Sequence, residues 1–135
     1  MRTTILLLLL TSLWSLQAVA CRCKDPDPHS AYANADAVAV IRINDVTVLQ
    51  GEITRADGEV LQAWKSALPS SLNIFTGEDC MYPLTKGITY LLYLRRSAEG
   101  EYGTYRCRGN LSQTESADRM RWLDQHGKPA SVTPK

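Results

Sequence analysis

The sequence predicts a mainly β protein, in which a compact barrel of about five strands carries a helix at its side. Three observations lead to this fold class. Segments rich in Val, Ile, Leu and Tyr recur along the chain, with turn residues between them. The clearest helical pattern follows the last of these segments. The chain has 135 residues, and removal of a predicted leader would leave 115, which is enough for one modest core and too few for two.

Five segments are predicted as strands from their content of β-branched and aromatic residues. Gly87 opens the clearest of them, and an Asp57-Gly58 turn signal precedes another. In chain order the segments are 37–48, 59–65, 71–76, 88–94 and 102–107. The residues expected to include inward-facing core positions are Val38, Val40, Ile41, Leu91 and Leu92.

A helix is predicted near the C-terminus. Residues 112–115, Ser-Gln-Thr-Glu, have the spacing of a capping box, which is typical of a helix start. Gly127 is expected to end the helix, and Trp122 is expected to be a partly buried packing residue. The residues on one face of this helix are Ala117, Met120 and Leu123.

Residues 1–20 are predicted to be a signal peptide. Arg2 supplies a positive charge, an apolar stretch follows, and Ala18-Val19-Ala20 offers small residues at a cut site. A transmembrane anchor is the less favoured alternative, because the apolar run is short and breaks at Thr11-Ser12. Cleavage would leave Cys21 as the first residue of a secreted or periplasmic protein.

The charge of the chain is balanced. It has 15 Lys and Arg against 14 Asp and Glu, and removal of the leader would leave 14 of each. No block of one sign stands out, so nucleic acid is not expected as a partner. Residues 21–127 are expected to form the domain, and residues 128–135, with two prolines, are expected to be a flexible tail.

The four cysteines predict a disulfide framework, because an even number in a small exported domain is typical of one. They are Cys21, Cys23, Cys80 and Cys107. Cys21 and Cys23 are too close in sequence to pair comfortably with each other, so each is expected to reach a distant partner. A four-cysteine zinc site is a less favoured alternative, since Cys80 and Cys107 lack a closely spaced second ligand.

Several short motifs together resemble the inhibitory domain of the tissue inhibitors of metalloproteinases. The similarity covers nearly all of the chain after the predicted leader, and its motifs fall in the family's order. They are Cys21-Arg22-Cys23, the nearby Pro26, Pro28 and His29, the run from Ser30 to Asp36, the strand ending Ile41-Arg42-Ile43, Cys80 before Tyr82, the strand from Tyr90 to Leu94, and Thr104-Tyr105-Arg106-Cys107 before the helix.

The resemblance implies a fold, a pairing and a function. The fold is a five-stranded netrin-like OB-fold barrel with a short flanking helix and a C-terminal helix, and the pairs are Cys21 with Cys80 and Cys23 with Cys107. The function is inhibition of a zinc metalloendopeptidase, whose zinc would be chelated by the Cys21 amine and carbonyl. The expected contact residues are Cys21, Arg22, Cys23, Lys24, Glu78, Asp79, Cys80 and Met81. Because Arg22 stands where the family has a small hydroxyl residue, its target would need to offer a carboxylate.

Three other functions stay open from the sequence. A netrin-like interaction module without a protease target would have the same fold. A lipoprotein acylated at Cys21 would lie on a membrane, although acylation would leave an odd number of cysteines. An enzyme is not expected, since His29 and His126 are the only histidines and no familiar catalytic motif is present. The protein is expected to be a monomer with no cofactor and no metal of its own.

Overall fold

The computed structural model describes residues 21–51, 53–77 and 80–135, so the predicted leader lies outside the described residues. Two α-helices and nine strands are found within these ranges. The helices are α1 (Pro28–Ala33) and α2 (Ala117–His126). The strands are β1 (Ala37–Val48), β2 (Thr54–Trp64), β3 (Leu68–Pro69), β4 (Ser71–Thr76), β5 (Thr89–Arg96), β6 (Tyr102–Gly103), β7 (Leu111–Ser112), β8 (Pro129–Ala130) and β9 (Val132–Thr133).

Five of these strands close into a barrel. The order around it is β1, β2, β4, β6 and β5, and β5 pairs with β1 to close the ring. Four of the five pairings are antiparallel, whereas β4 and β6 run parallel, with Ile74 opposite Tyr102. The prediction of a mainly β barrel with two short helices is therefore confirmed. A closed, mixed five-stranded barrel of this order is consistent with an OB-like fold.

The core has two layers because β1 and β5 are buried on both faces. Side chains alternate across a strand, so one set of residues points into the barrel and the other points toward the helices. Ile41 and Leu92 belong to the barrel interior. Val38, Val40 and Leu91 lie in the outer layer, under the helices. The five were expected to include inward-facing residues; all five are buried, and Ile41 and Leu92 are the two that face the barrel interior.

Asp57 and Gly58 lie inside β2, so the predicted turn at this dipeptide is wrong. The strand begins at Thr54, five residues before the predicted start. Gly58 permits a close approach of β1: a Cβ atom on it would lie only 2.4 Å from Cγ2 of Ile41. The β1–β2 connection turns instead at Gly51, whose φ of +68° is easily adopted by glycine.

The segment 102–107 and the start of the second helix also differ from prediction. β6 contains only two residues, and Arg106–Arg108 forms a 3-10 turn that carries Cys107. Residues 113–115 form another 3-10 turn, in which the Ser112 hydroxyl donates to the Glu115 carboxylate at 2.7 Å. Helix α2 starts after this turn and ends before Gly127, as predicted.

Two short strands, β8 and β9, lie within residues 128–135, which were expected to form a flexible tail because of their prolines. β8 pairs with the end of β2, and β9 runs parallel to β3. The Ser70 amide donates to the Thr133 carbonyl at 2.7 Å, and Val132 packs against the barrel core. Pro129 can take part because a proline is tolerated at a sheet edge.

The two helices cover the outer face of β1 and β5. Leu123 of α2 is fully buried there, and Trp122 packs edge-on against Tyr32 of α1 with 5.9 Å between ring centroids. The expected partial burial of Trp122 is confirmed. Among the described residues, no helix has the length and apolar character needed to cross a bilayer.

Candidate functional site

The N-terminal part of the described chain is an extended segment held at the surface by two disulfides. Residues 21–27 form neither helix nor strand, and Arg22, Cys23 and Lys24 are exposed. Cys21 is bonded to Cys80, with 5.6 Å between their Cα atoms. Cys23 is bonded to Cys107, with 5.3 Å between theirs. This is the pairing that the resemblance implied.

The two disulfides lie against each other. Sγ of Cys21 is 3.7 Å from Sγ of Cys107, so the two bridges form one compact group. The sulfurs of Cys21, Cys23 and Cys107 all lie within 4.8 Å of one another, a spacing that would also suit a metal site. Zinc is bound by thiolates, however, and each of these sulfurs is bonded to another sulfur. In this structure the four cysteines are a disulfide framework, which is compatible with an extracellular or periplasmic location.

The bridges join the segment to two different parts of the barrel. Cys80 lies early in the connection from β4 to β5, whereas Cys107 lies in the 3-10 turn after β6. The two attachment points are themselves linked, because Nε of Arg106 donates to the carbonyl of Met81 at 3.0 Å. The two parts of the chain that hold the segment are therefore also joined to each other by a hydrogen bond.

Met81 and Cys80 are half-buried beside this segment, while Glu78 and Asp79, also expected as contact residues, lie outside the described residues. Thr76 holds the backbone of the residue that follows Met81. Its hydroxyl accepts from the Tyr82 amide at 2.9 Å and donates to the Tyr82 carbonyl at 3.2 Å. The Tyr82 ring packs edge-on against Tyr90, and burial, followed by the proximity of Tyr90, raises the pKa of Tyr82 to about 12.

A groove of about 720 Å³ borders the Cys80 side of this region. Its walls come from the ends of β4 and β5 and from the segment around β6. The larger apolar side chains that line it are those of Ile53, Phe75, Tyr102 and Tyr105. Arg95 and Arg96 also reach it, but the first is paired with Asp36 at 3.1 Å and the second lies over the Tyr102 ring.

Asn110 is a structural residue close to Cys107 that the sequence did not reveal. It is 7% exposed, and its Oδ1 accepts from the Tyr93 amide at 2.8 Å. Its Nδ2 donates to the Thr104 hydroxyl at 2.7 Å and to the Tyr105 carbonyl at 3.1 Å. The sequence Asn110-Leu111-Ser112 fits a glycosylation acceptor, but a glycan on this nitrogen would break the buried network. The structure therefore assigns Asn110 to packing.

The two histidines are exposed residues on different helices. His29 lies in the first turn of α1, and His126 lies in the last turn of α2, where its ring stacks on Trp122 with centroids 4.9 Å apart. Nδ1 of His126 is 3.0 Å from the Trp122 carbonyl oxygen. Both histidines therefore belong to the helices on the outer layer of the fold.

Asp27 and Lys65 hold α1, the helix that follows the extended segment. The Asp27 carboxylate accepts from the side chain and the backbone amide of Ser30, and these hydrogen bonds lower the pKa of Asp27 below its usual 3.8. At the other end, Nζ of Lys65 donates to the carbonyls of Tyr32 and Ala33 at 2.8 and 3.0 Å. Side-chain hydrogen bonds therefore cap both ends of α1, and the cap at Asp27 fixes where the extended segment ends.

Comparison of the chain with models of known protein families and with curated proteins gave no match. The geometry of the two disulfides and of the segment that they hold is thus the basis for a functional assignment.

Proposed function

We propose that this protein is a secreted inhibitor of zinc metalloendopeptidases and that residues 21–24 are its inhibitory segment. Removal of residues 1–20 in an exporting compartment would make Cys21 the first residue, with a free α-amine. That amine and the Cys21 carbonyl oxygen would bind the zinc of the target protease together. The protein is proposed to act as a monomer and to need no cofactor.

The observation that carries the proposal is the double attachment of an exposed, irregular segment. Cys21 and Cys23 are bonded to two parts of the barrel that lie far apart in sequence, so the backbone between them is held at both ends. Arg22 and Lys24 project from this segment and are exposed. A segment ordered before binding loses little conformational entropy in a complex, which favours tight binding by a small contact area.

The chemistry of an α-amine suits the role. Its reference pKa is about 7.7 to 8, so at neutral pH a metal displaces only one weakly held proton to bind the nitrogen. In a zinc protease the fourth ligand position holds the water that attacks the substrate. An amine and a carbonyl oxygen at that position would exclude the water, and the protease would lose its nucleophile.

Arg22 is proposed to select the target. In the proposed complex this residue enters the pocket beside the zinc, and its side chain is exposed and free to do so. A guanidinium in an apolar pocket would be unpaired and its transfer from water unfavourable, whereas a carboxylate in the pocket would form a strong paired contact. The preferred target is thus a protease with an acidic group in that pocket. Arg22→Thr should bind that target less tightly and proteases with apolar pockets more tightly.

The test compares three forms of the protein against a panel of secreted zinc endopeptidases. One form begins at Cys21, one carries an extra Ala before Cys21, and a matched control carries the extra Ala after Lys135. The extra N-terminal residue turns the amine into an amide, whose nitrogen lone pair is not available to zinc. We expect the first and third forms to inhibit at least one protease and the second to lose most of that inhibition. Equal inhibition by all three forms would reject zinc binding by Cys21 and favour the interaction-module alternative.

Acylation is the alternative fate of Cys21. A lipid is attached through the cysteine sulfur, and here that sulfur is bonded to Cys80. Intact mass of the protein purified from an exporting host separates the two. A mass that fits residues 21–135 with two disulfides supports the inhibitor. A mass increased by acyl chains would place the protein on a membrane and reject the free amine.

A further inference from the structure

Three residues connect Cys23 of the second disulfide to the N-cap of helix α1, and one of them accepts a hydrogen bond from the other helix. Asp25 and Pro26 lie between Lys24 and the Asp27 N-cap. A terminal nitrogen of Arg119, Nη2, donates a hydrogen bond to the Pro26 carbonyl oxygen. Arg119 belongs to α2, so this contact joins residues 93 positions apart in the sequence.

Gly109 lies close to both Pro26 and Arg119. Its φ of +92° lies in the left-handed region, and a Cβ atom on it would stand 3.2 Å from Cγ of Pro26 and 3.3 Å from Nη1 of Arg119. Gly109 ends the 3-10 turn that carries Cys107, the partner of Cys23. The Arg119 contact and the Cys23 bridge thus meet at one turn of the chain.

Arg119 is also close to the barrel itself. The Tyr93 hydroxyl is buried and has no hydrogen-bond partner of ordinary geometry among the described residues. Burial raises the pKa of Tyr93, and the nearby guanidinium of Arg119 opposes this rise. A single guanidinium therefore interacts with β5 on one side and with the N-terminal segment on the other.

We propose that Arg119 is a positioning residue for the inhibitory segment, a role that rests on the function proposed above. The segment is then held at three points, namely the Cys21 bridge, the Cys23 bridge and the Pro26 carbonyl. The two bridges fix the side chains of Cys21 and Cys23, and the hydrogen bond from Arg119 fixes the backbone three residues after Cys23. Without it, the backbone between the Cys23 bridge and the Asp27 cap is less ordered, and the orientation of the adjoining inhibitory segment is less well defined.

Arg119→Met tests the proposal because it removes the donor and the charge but keeps an aliphatic side chain. The first measurement is made on the free protein by backbone ¹⁵N relaxation. We expect the amides of Cys23, Lys24 and Asp25 to become clearly more mobile than in the unaltered protein. Arg119→Lys, which keeps a charge and donors, should restore part of their order.

Two control variants separate positioning from general stability. Arg121→Met alters the same helix at an exposed arginine, which is paired with Asp118. Ile74→Val loosens the barrel interior, where Ile74 is fully buried. Neither should change the relaxation of residues 23–25, even though Ile74→Val lowers the melting temperature. If Arg119→Met leaves these amides as ordered as the controls do, the proposal is overturned.

The second measurement is the inhibition constant against a responsive protease. Loss of one charge-assisted hydrogen bond that orders the segment should weaken inhibition about tenfold, with Arg119→Lys intermediate. If the unaltered protein inhibits nothing, the proposed function fails, and the relaxation result still decides the role of Arg119. If Arg119→Met does not fold, Arg119→Lys alone serves for both measurements. An ordered segment and unchanged inhibition in that variant would then reject the proposal.

Discussion

Replacement of Asn110 by Ala should destabilise the fold more than any exposed substitution, because this buried side chain makes three hydrogen bonds. Without it, the Tyr93 amide and the Tyr105 carbonyl lose their bonds to it at 2.8 and 3.1 Å. The Thr104 hydroxyl keeps its own bond to the Tyr93 carbonyl at 2.9 Å. The bonds to Thr104 and Tyr105, taken at about 0.5 kcal/mol each, contribute about 1 kcal/mol together, and the Tyr93 amide, a buried donor left without an acceptor, costs about 1 to 3 kcal/mol. The expected loss is therefore about 2 to 4 kcal/mol.

The assay is equilibrium urea denaturation with both disulfides intact, followed by thermal melting. For a domain of this size the loss corresponds to a fall in melting temperature of roughly 6 to 24 °C. Asn73→Ala is a matched control, since Asn73 lies exposed on β4 and should change stability by no more than about 0.5 kcal/mol. The reasoning is refuted if Asn110→Ala and Asn73→Ala unfold at the same urea concentration.

Three further predictions concern the barrel and the first helix. Leu92→Ala should lower the free energy of unfolding by about 2 to 5 kcal/mol in urea denaturation, because Leu92 is fully buried in the barrel; a near-normal midpoint would contradict its place there. Gly58→Ala should cost about 1 to 3 kcal/mol in the same assay, since the new methyl group would overlap Ile41; an unchanged midpoint would mean that β1 can move away freely. Asp27→Ala should lower the melting temperature at pH 7, and the difference from the unaltered protein should shrink as the pH falls below about 3.8, because the lowered pKa of Asp27 adds stability only while the carboxylate is charged. A difference as large at pH 2 as at pH 7 would place the effect elsewhere.

The sequence predicted the parts of the fold that depend on local pattern. The strands at β1 and β5 were found within about two residues because their apolar runs are long and buried on both faces. The end of α2 was found because Gly127 is a common helix stop. Gly58 was misread, since a glycine after an aspartate marks either a turn or a close contact between strands. Only the position of Ile41 across the sheet decides between the two.

Only the cysteines of the candidate site could be predicted from the sequence. Cys21 and Cys23 stood out by spacing, and their partners followed from the resemblance. The other residues that hold the segment in place could not be predicted from the sequence. Arg119 reaches Pro26 across 93 residues, and Arg106 reaches Met81 across 25. No periodicity or motif signals a long-range hydrogen bond from an arginine, so such residues become visible only when the chain is folded.

The measurement that tests the central proposal most directly is the visible spectrum of a target protease whose zinc has been replaced by cobalt(II). Cobalt absorbs in the visible region, and its bands change when a ligand or the coordination number changes. We expect the protein that begins at Cys21 to shift these bands at a one-to-one ratio, because its amine and carbonyl oxygen become ligands in place of water. The form with an extra Ala before Cys21 should leave them as in the free protease. Inhibition by the Cys21 form with no change in the cobalt spectrum would contradict chelation.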